Sequence, residues 1–182
     1  MNPRPSTGLF ITFEGVDGSG KSTQAALFSE RLARAGAALL TLRDPGATVL
    51  SERIRAILLD RGSSEMSPWT ELLLYEAARA QMTEELILPA LAEGRIVVCD
   101  RYYDSTTAYQ GFGRQMDLAL VHQANRIGSC GLVPDAVEAG QPARGFVHGQ
   151  VGQEVEAERA ALGQDAAKRL LDPLPDRLVH DG

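Results

Sequence analysis

Short apolar runs alternate along the chain with longer segments whose apolar residues recur at helical spacing. The runs occupy residues 9–13, 38–42 and 95–99. Each run is apolar throughout most of its length, as expected for a strand that is covered on both faces. Alternation of this kind predicts βαβ units, and therefore an α/β fold in which helices flank a parallel sheet.

The segments between these runs carry the signals of helix boundaries. Phe28 and Leu32 repeat at helical spacing, and Gly36 follows where a helix C-cap would lie. Residues 54–58 repeat the same spacing in the next segment. Pro68 predicts the first turn of a long third helix, because proline is favoured at that position.

The pattern weakens after Asp135. A parallel sheet of this kind should gain another strand there, but residues 136–140 are too polar and too few for a strand covered on both faces. Residues 155–171 are helix-like in composition and carry only a thin apolar stripe. We therefore predict no strand at 136–140. Residues 136–182 are interpreted as a divergent or frame-altered tail.

Composition limits the classes of function that the chain can have. Its 182 residues suffice for one domain with a hydrophobic core, and its formal net charge of −6 argues against a general nucleic-acid-binding surface. No apolar run approaches the roughly 20 residues of a membrane span, and the first seven residues lack a secretory pattern. Cys99 and Cys130 show no metal-binding or disulfide spacing. We expect a soluble cytoplasmic protein that binds neither nucleic acid nor membrane.

The segment 15–22, GVDGSGKS, matches the phosphate-loop pattern G-x-x-x-x-G-K-[ST] at every fixed position. It lies between an apolar run and a helix-like segment, the context that the motif requires. Glycines let successive backbone N–H groups face one anion, and the helix N-terminus adds partial positive charge. The alternative is a glycine-rich turn with an exposed lysine. The predicted nucleoside triphosphate site comprises Gly15, Val16, Asp17, Gly18, Ser19, Gly20, Lys21, Ser22 and Thr23.

A second candidate group, Asp100 and Arg101, follows the third apolar run. Ligands bind beyond the carboxyl ends of parallel strands, so both residues should lie near the phosphate loop. Asp100 and the Ser22 hydroxyl could hold Mg²⁺, while Lys21 and Arg101 could bind phosphoryl oxygens. The alternative is an ion pair that only ties the strand end to a neighbouring loop. We predict that Lys21, Asp100 and Arg101 are catalytic and that Ser22 and Asp100 form the metal site.

Three segments, in this order, resemble the thymidylate kinase family: FEGVDGSGKSTQ at 13–24, LRDPG at 42–46 and DRYYDSTTAYQG at 100–111. The resemblance covers about residues 8–135 and implies a P-loop NTPase-type parallel sheet in a single kinase domain over residues 1–182. It implies transfer of the γ-phosphoryl group of ATP to dTMP with Mg²⁺, giving dTDP and ADP, and a possible homodimer. An inactive nucleotide-binding relative and a P-loop kinase for another nucleoside or nucleotide stay open as alternatives.

The resemblance implies roles for four residues near the phosphates. Asp17 would accept a hydrogen bond from the 3′-hydroxyl of the acceptor; its alternative is to cap the following helix. Arg43 and Arg101 would bind the acceptor's 5′-phosphate. Arg55 could join them, although a solvated helix arginine is an equal alternative.

Five further residues are implied to bind the base. Tyr75 would stack on thymine, with Arg79 on the same helix face four residues later. The alternative for Tyr75 is a plain core aromatic. Ser105, Thr106 and Tyr109 would line the pyrimidine pocket.

The chain departs from the family pattern at two places. Residues 43–47 read RDPGA where the family usually has Arg-Glu-Pro-Gly-Gly, and Gly18 occupies a position where one branch has an arginine. The chain therefore resembles the bacterial branch that supplies a cation from a lid. The lid is expected at about residues 140–160, where neither Arg144 nor Arg159 can be assigned. A reading-frame disruption near codon 136 or divergence would explain the tail.

Overall fold

In the computed structural model, the described residues are 8–63 and 65–139. The strands are β1 (Leu9–Glu14), β2 (Leu39–Arg43), β3 (Ile96–Asp100) and β4 (Ala136–Ala139). The α-helices are α1 (Lys21–Arg34), α2 (Val49–Leu59), α3 (Pro68–Met82), α4 (Leu88–Ala92), α5 (Tyr103–Thr106) and α6 (Leu118–Gly128). A 3₁₀ turn covers Arg61–Ser63, and π-helical segments cover Thr83–Ile87 and Thr107–Gly113.

The strands of the described part form a parallel sheet in the order β2-β3-β1-β4. The register pairs Phe13 of β1 with Asp100 of β3, and Asp100 in turn with Arg43 of β2. The carboxyl ends of these three strands therefore meet at one edge. The predicted α/β fold with a parallel sheet is confirmed.

The three predicted strands all end one residue later than the apolar runs. β1 ends at Glu14, β2 at Arg43 and β3 at Asp100. Backbone pairing does not require an apolar side chain, so the parallel ladder continues into the first charged residue. Each strand thus delivers a charged side chain to the edge where ligands bind in such sheets.

The prediction of no strand at 136–140 was wrong. β4 pairs in parallel with β1, beginning with Ala136 opposite Ile11, and two hydrogen bonds between Phe10 and Asp135 precede its start. The Phe10 N–H donates to Asp135 Oδ2 at 2.8 Å, and the Asp135 N–H donates to the Phe10 carbonyl at 2.7 Å. β4 lies at an edge of the described sheet and is partly exposed; backbone pairing with β1 holds it, and Ala136 packs against the apolar cluster that contains Ile11. The expected lid segment lies outside the described residues, as do Arg144 and Arg159.

Apolar side chains pack on both faces of the sheet. Phe10 and Val97 belong to a cluster with residues of α3 and α4 on one face, whereas Ile11 and Val98 pack with Ala25 of α1 on the other. Successive strand residues point to opposite faces, which divides the core in this way. None of the described helices is both long and apolar enough to cross a membrane.

The predicted helix boundaries are present in the structure. Gly36 follows α1 with φ of 83°, a left-handed conformation that glycine adopts easily. α3 begins at Pro68, and the hydroxyl of Ser67 accepts a hydrogen bond from the Thr70 N–H at 3.2 Å. These caps fix where the helices start and stop relative to the strand ends.

Candidate active site

The phosphate loop connects the end of β1 to the start of α1. Gly18 and Gly20 have φ of 80° and 82°, in the left-handed region that other residues adopt only with strain. No described atom lies within 4 Å of where a Cβ would stand at either glycine. The loop therefore leaves open space at the N-terminus of a 14-residue helix, where backbone N–H groups favour an anion.

Lys21 lies at the base of this loop, only 6% exposed. Its Nζ is 3.3 Å from Asp17 Oδ1 and 3.5 Å from the Val16 carbonyl. The Asp17 carboxylate also forms an ion pair with Arg101, and the Lys21 hydrogen bond and the Arg101 charge hold its pKa below the usual range. Among the described residues, neither Asp17 nor any other side chain makes a cap hydrogen bond at the start of α1, so the alternative role of Asp17 as a helix cap was wrong.

Ser22 and Asp100 come together as the sequence predicted. The Ser22 hydroxyl donates to Asp100 Oδ2 at 2.5 Å, and Asp100 Oδ1 is buried with no hydrogen-bond partner among the described residues. A hydroxyl beside a carboxylate with a spare oxygen fits Mg²⁺, which prefers oxygen ligands and keeps water and phosphate in its remaining positions. The described residues contain no group of three or more His, Cys, Asp or Glu side chains that could hold a metal ion by themselves. Water and phosphate oxygens would therefore have to supply the remaining ligands of Mg²⁺.

Arg101 connects the phosphate loop to the segment after β3. Its backbone has φ of 72°, and its N–H donates to the Phe13 carbonyl at 2.9 Å. Its Nη1 donates to Ser105 Oγ at 3.0 Å, and its guanidinium lies 5.5 Å from the centroid of the Tyr109 ring. The guanidinium thus stands between the phosphate loop and the residues predicted to bind the base.

A cavity of about 520 Å³ opens beside Arg101 at the carboxyl edge of the sheet. This volume is in the range typical of small-molecule sites. Eight of the predicted substrate residues line it: Asp17, Arg55, Tyr75, Arg79, Arg101, Ser105, Thr106 and Tyr109. The structure therefore places the predicted acceptor residues around one cavity that adjoins the phosphate loop.

Arg43 is the predicted substrate residue that is not among the described residues lining the cavity. Its Nη2 lies 3.0 and 3.1 Å from the two carboxylate oxygens of Glu52. Glu52 also accepts the Ala47 N–H at 2.8 Å, a hydrogen bond that lowers its pKa. Arg43 is thus held by α2 beside the site, and phosphate binding by Arg43 stays a prediction. Arg55 instead lines the cavity and donates to the Pro45 carbonyl at 2.9 Å.

Arg79 is 1% exposed and its guanidinium is surrounded by hydrogen-bond acceptors. Nε donates to Asp44 at 2.6 Å, and Nη1 donates to Glu76 at 2.5 Å and to Asn125 at 3.5 Å. Nη2 donates to Thr106 at 2.7 Å. Burial alone would lower the pKa of Arg79, but the two neighbouring carboxylates raise it, so the side chain stays charged.

Tyr75 is half-buried at the cavity wall and belongs to neither apolar cluster, so the plain core alternative was wrong. Burial and the nearby Glu71 raise the pKa of its hydroxyl, which therefore stays protonated at neutral pH. Glu71 also accepts from Gln110 at 3.3 Å and from Arg114 at 3.1 Å, and these residues complete the rim.

Sequence reasoning gave no role to several charged or polar residues that organise the site. Asp44 and Asn125 hold Arg79, and Glu14 holds the segment after β3. Glu14 is 4% exposed; burial and the charge of Asp104 raise its pKa to about 8. The sequence signal for Glu14 was a carboxylate at the end of an apolar strand. A carboxylate in that position is seldom buried without hydrogen-bond partners, so it indicates that polar groups of another segment lie beside it.

Known proteins resemble this chain in sequence. Residues 13–137 match the family model described as thymidylate kinase. The chain belongs to the thymidylate kinase family. It is 48% identical to a thymidylate kinase of Pelotomaculum thermopropionicum over 83% of this chain and 73% of that relative. It is 54% identical to one of Prosthecochloris aestuarii over 70% of this chain, but the match spans only 56% of that relative's length.

A solved structure resembles the chain as well. The crystal structure of thymidylate kinase from Ehrlichia chaffeensis matches with a TM-score of 0.70 and 33% sequence identity, covering 89% of this chain and 87% of that one. The likeness extends over the sheet and its flanking helices. It supports the P-loop NTPase-type fold that the phosphate loop indicates.

Proposed function

We propose that this protein is a nucleoside monophosphate kinase that transfers the γ-phosphoryl group of ATP to dTMP, giving dTDP and ADP for dTTP synthesis. The observation that carries the proposal is the contact between the two halves of the site. Asp17 of the phosphate loop joins Lys21 on the donor side to Arg101 on the wall of the acceptor cavity. Family membership supports the same reaction. We assign both halves to one kinase domain over residues 1–182.

The donor triphosphate would lie on the phosphate loop. The open space over Gly18 and Gly20 admits phosphate oxygens to the backbone N–H groups, and Lys21 would exchange its contact with Asp17 for the terminal phosphates. Ser22 and Asp100 would hold Mg²⁺, which neutralises charge on the transferred group.

The acceptor phosphate would enter the cavity beside Arg101 and Arg55. Their two guanidinium groups, both on the lining of the cavity, would offset the repulsion between two anionic nucleotides. Asp17, whose carboxylate is 91% exposed, has an oxygen available for the 3′-hydroxyl of the deoxyribose. These contacts would bring the acceptor oxygen into line with the donor phosphate, and transfer needs no covalent enzyme intermediate.

The base would lie against Tyr75. Arg79 has five N–H donors, and the four contacts described above leave one Nη2 hydrogen for a ligand. A buried donor favours the carbonyl oxygen of thymine or uracil over the amino group of cytosine. Thr106 and Tyr109 complete the wall, so the pocket suits a pyrimidine with carbonyl groups.

The purified chain is tested with Mg-ATP and dTMP, with dUMP, dCMP and AMP as parallel acceptors, by following ADP and dTDP together. We expect equimolar ADP and dTDP, with dTMP preferred. Lys21→Ala serves as the matched inactive control. Nucleotide binding without dTDP would support an inactive relative, and preference for another acceptor would support a different P-loop kinase. A homodimer and a cytoplasmic location stay predictions.

A further inference from the structure

Glu14 makes two short hydrogen bonds to the segment that follows β3. Its Oε1 accepts the Tyr102 N–H at 2.6 Å, and its Oε2 accepts the Ser105 hydroxyl at 2.6 Å. The carboxylate is 4% exposed and is not among the described residues that line the cavity. Both of its oxygens therefore serve the protein and face no ligand.

Phe13 and Glu14, the last two residues of β1, together hold the backbone on either side of the Arg101 Cα. Arg101 has a left-handed backbone, which a residue with a Cβ adopts at a cost and only where its surroundings impose it. The Phe13 carbonyl holds the N–H before the turn at 2.9 Å, and Glu14 holds the Tyr102 N–H after it. The strand end thus fixes the turn from two consecutive residues.

Glu14 also fixes the guanidinium of Arg101 through Ser105. Ser105 Oγ accepts from Arg101 Nη1 at 3.0 Å while its own hydroxyl donates to Glu14. A serine hydroxyl has one donor hydrogen, so donation to Glu14 leaves its lone pairs directed to the guanidinium. Removing the carboxylate would free that hydrogen to rotate and loosen the guanidinium.

We propose that Glu14 is a positioning residue that holds Arg101 in its phosphate-binding conformation without touching the nucleotide. The inference rests on the proposed role of Arg101 in binding the acceptor phosphate. Keeping a carboxyl group buried at this position costs desolvation energy that an apolar residue would avoid. Of the two hydrogen bonds that offset this cost, one comes from the residue after Arg101 and the other from Ser105, which itself accepts from the Arg101 guanidinium.

The test is a double-mutant cycle on kcat/KM for dTMP. Misplacement of a phosphate-binding group by about 1 Å can lower the rate on the order of 100-fold, so Glu14→Ala should lower kcat/KM for dTMP by roughly 10- to 100-fold. The KM for ATP should stay unchanged. In an Arg101→Ala background, Glu14→Ala should change kcat/KM by no more than about twofold, because its target is gone.

Glu14→Gln is the conservative variant, since its amide oxygen can still accept the Tyr102 N–H. Glu14→Gln should recover part of the kcat/KM that Glu14→Ala loses. If Glu14→Ala does not fold, Glu14→Gln takes its place in the double-mutant cycle. Glu30→Ala, which removes an exposed carboxylate of α1, controls for loss of charge and should leave kcat/KM unchanged. Where turnover is too slow to measure, the dTMP affinity from calorimetry replaces kcat/KM in the double-mutant cycle.

Equal losses in both backgrounds would show that Glu14 supports the fold in general and would overturn the inference. Full activity of Glu14→Ala would overturn it as well. Wild-type protein that binds dTMP but makes no dTDP contradicts the proposed function alone, because the affinity cycle still tests Glu14. If the wild-type protein binds no dTMP, both the proposed function and the inference about Glu14 are contradicted.

Discussion

Asp44 and Arg79 form an ion pair in which each side chain is 1% exposed and the Oδ2–Nε distance is 2.6 Å. Asp44 follows β2 directly, whereas Arg79 lies near the end of α3. The pair therefore ties a strand end to the helix that supplies the cavity wall. Both residues face the cavity, so the same contact supports the fold and orients the donor predicted to read the base.

Asp44→Ala should lower the free energy of unfolding by about 3–5 kcal/mol, because it leaves a buried guanidinium with one fewer counter-charge. Urea unfolding at pH 7 measures this difference. Glu30→Ala breaks an exposed pair of α1 and should cost only about 0.5 kcal/mol. Equal stabilities of Asp44→Ala and the wild type would show that Glu76 alone compensates Arg79.

Removal of magnesium should stop dTDP formation, and added Mg²⁺ should restore it after treatment with EDTA. Asp100→Asn should raise the Mg²⁺ concentration needed for half-maximal activity, because the neutral amide is a weaker ligand than the carboxylate. Titration of Mg²⁺ at saturating ATP measures the shift. An unchanged Mg²⁺ requirement in Asp100→Asn would exclude this carboxylate from the metal site.

Gly20→Ala and Gly36→Ala form a matched pair, because both glycines have φ near 82° and neither has a described atom within 4 Å of a new Cβ. Each alanine should cost about 1–2 kcal/mol through backbone strain. Only Gly20→Ala should also raise the KM for ATP, since Gly20 belongs to the phosphate loop. Thermal unfolding and ATP kinetics separate the two effects. A similar rise in KM for Gly36→Ala would contradict a local role for the loop.

Glu14 should make stability depend on pH. Burial and the charge of Asp104 raise its pKa to about 8, while Ser105, Tyr102 and Arg101 partly oppose the shift. At pH 7 the folded state therefore holds Glu14 mostly as the neutral carboxyl group, which still accepts a hydrogen bond on its carbonyl oxygen, whereas the unfolded state loses this proton above about pH 4.5. The contribution of Glu14 to the free energy of unfolding is therefore full below about pH 4.5 and is lost as the pH rises to about 8. The slope of this loss is up to about 1.4 kcal/mol per pH unit.

Urea unfolding of the wild type and of Glu14→Gln between pH 5 and 9 measures this contribution. The amide does not titrate, so Glu14→Gln should show a flatter dependence, and the difference between the two proteins isolates the carboxyl group. Identical slopes would mean that Glu14 ionises alike in the folded and unfolded states.

The sequence predicted the parts of the site that depend on local pattern. The phosphate loop is contiguous, so its glycines, Lys21 and Ser22 could be assigned from spacing alone. Asp100 and Arg101 followed from their place after an apolar run. Asp44 and Glu14 could not be assigned in this way, because their partners lie 35 and 88 residues away in the chain. Such contacts exist only once the sheet has formed.

The fold, too, could be predicted only where it depends on local sequence pattern. Strands covered on both faces were visible as apolar runs. β4 was missed because it has only four residues and is partly exposed, and its backbone pairing with β1 leaves no mark in the sequence. The resemblance supplied Arg43 as a phosphate ligand, but a pattern match does not reveal that Glu52 binds its guanidinium.

Tyr75 should contribute to dTMP binding through its ring and not its hydroxyl. Stacking of a base on an aromatic side chain is worth about 1–3 kcal/mol, so Tyr75→Ala should weaken dTMP binding by roughly 5- to 150-fold. Tyr75→Phe keeps the ring and should bind dTMP nearly as well as the wild type. Trp69→Ala removes an exposed aromatic of the same helix that does not line the cavity, and it should leave affinity unchanged. Calorimetric titration with dTMP measures all three variants. Equal losses in Tyr75→Ala and Tyr75→Phe would show that the hydroxyl makes the contact, and the base would then not lie against the ring.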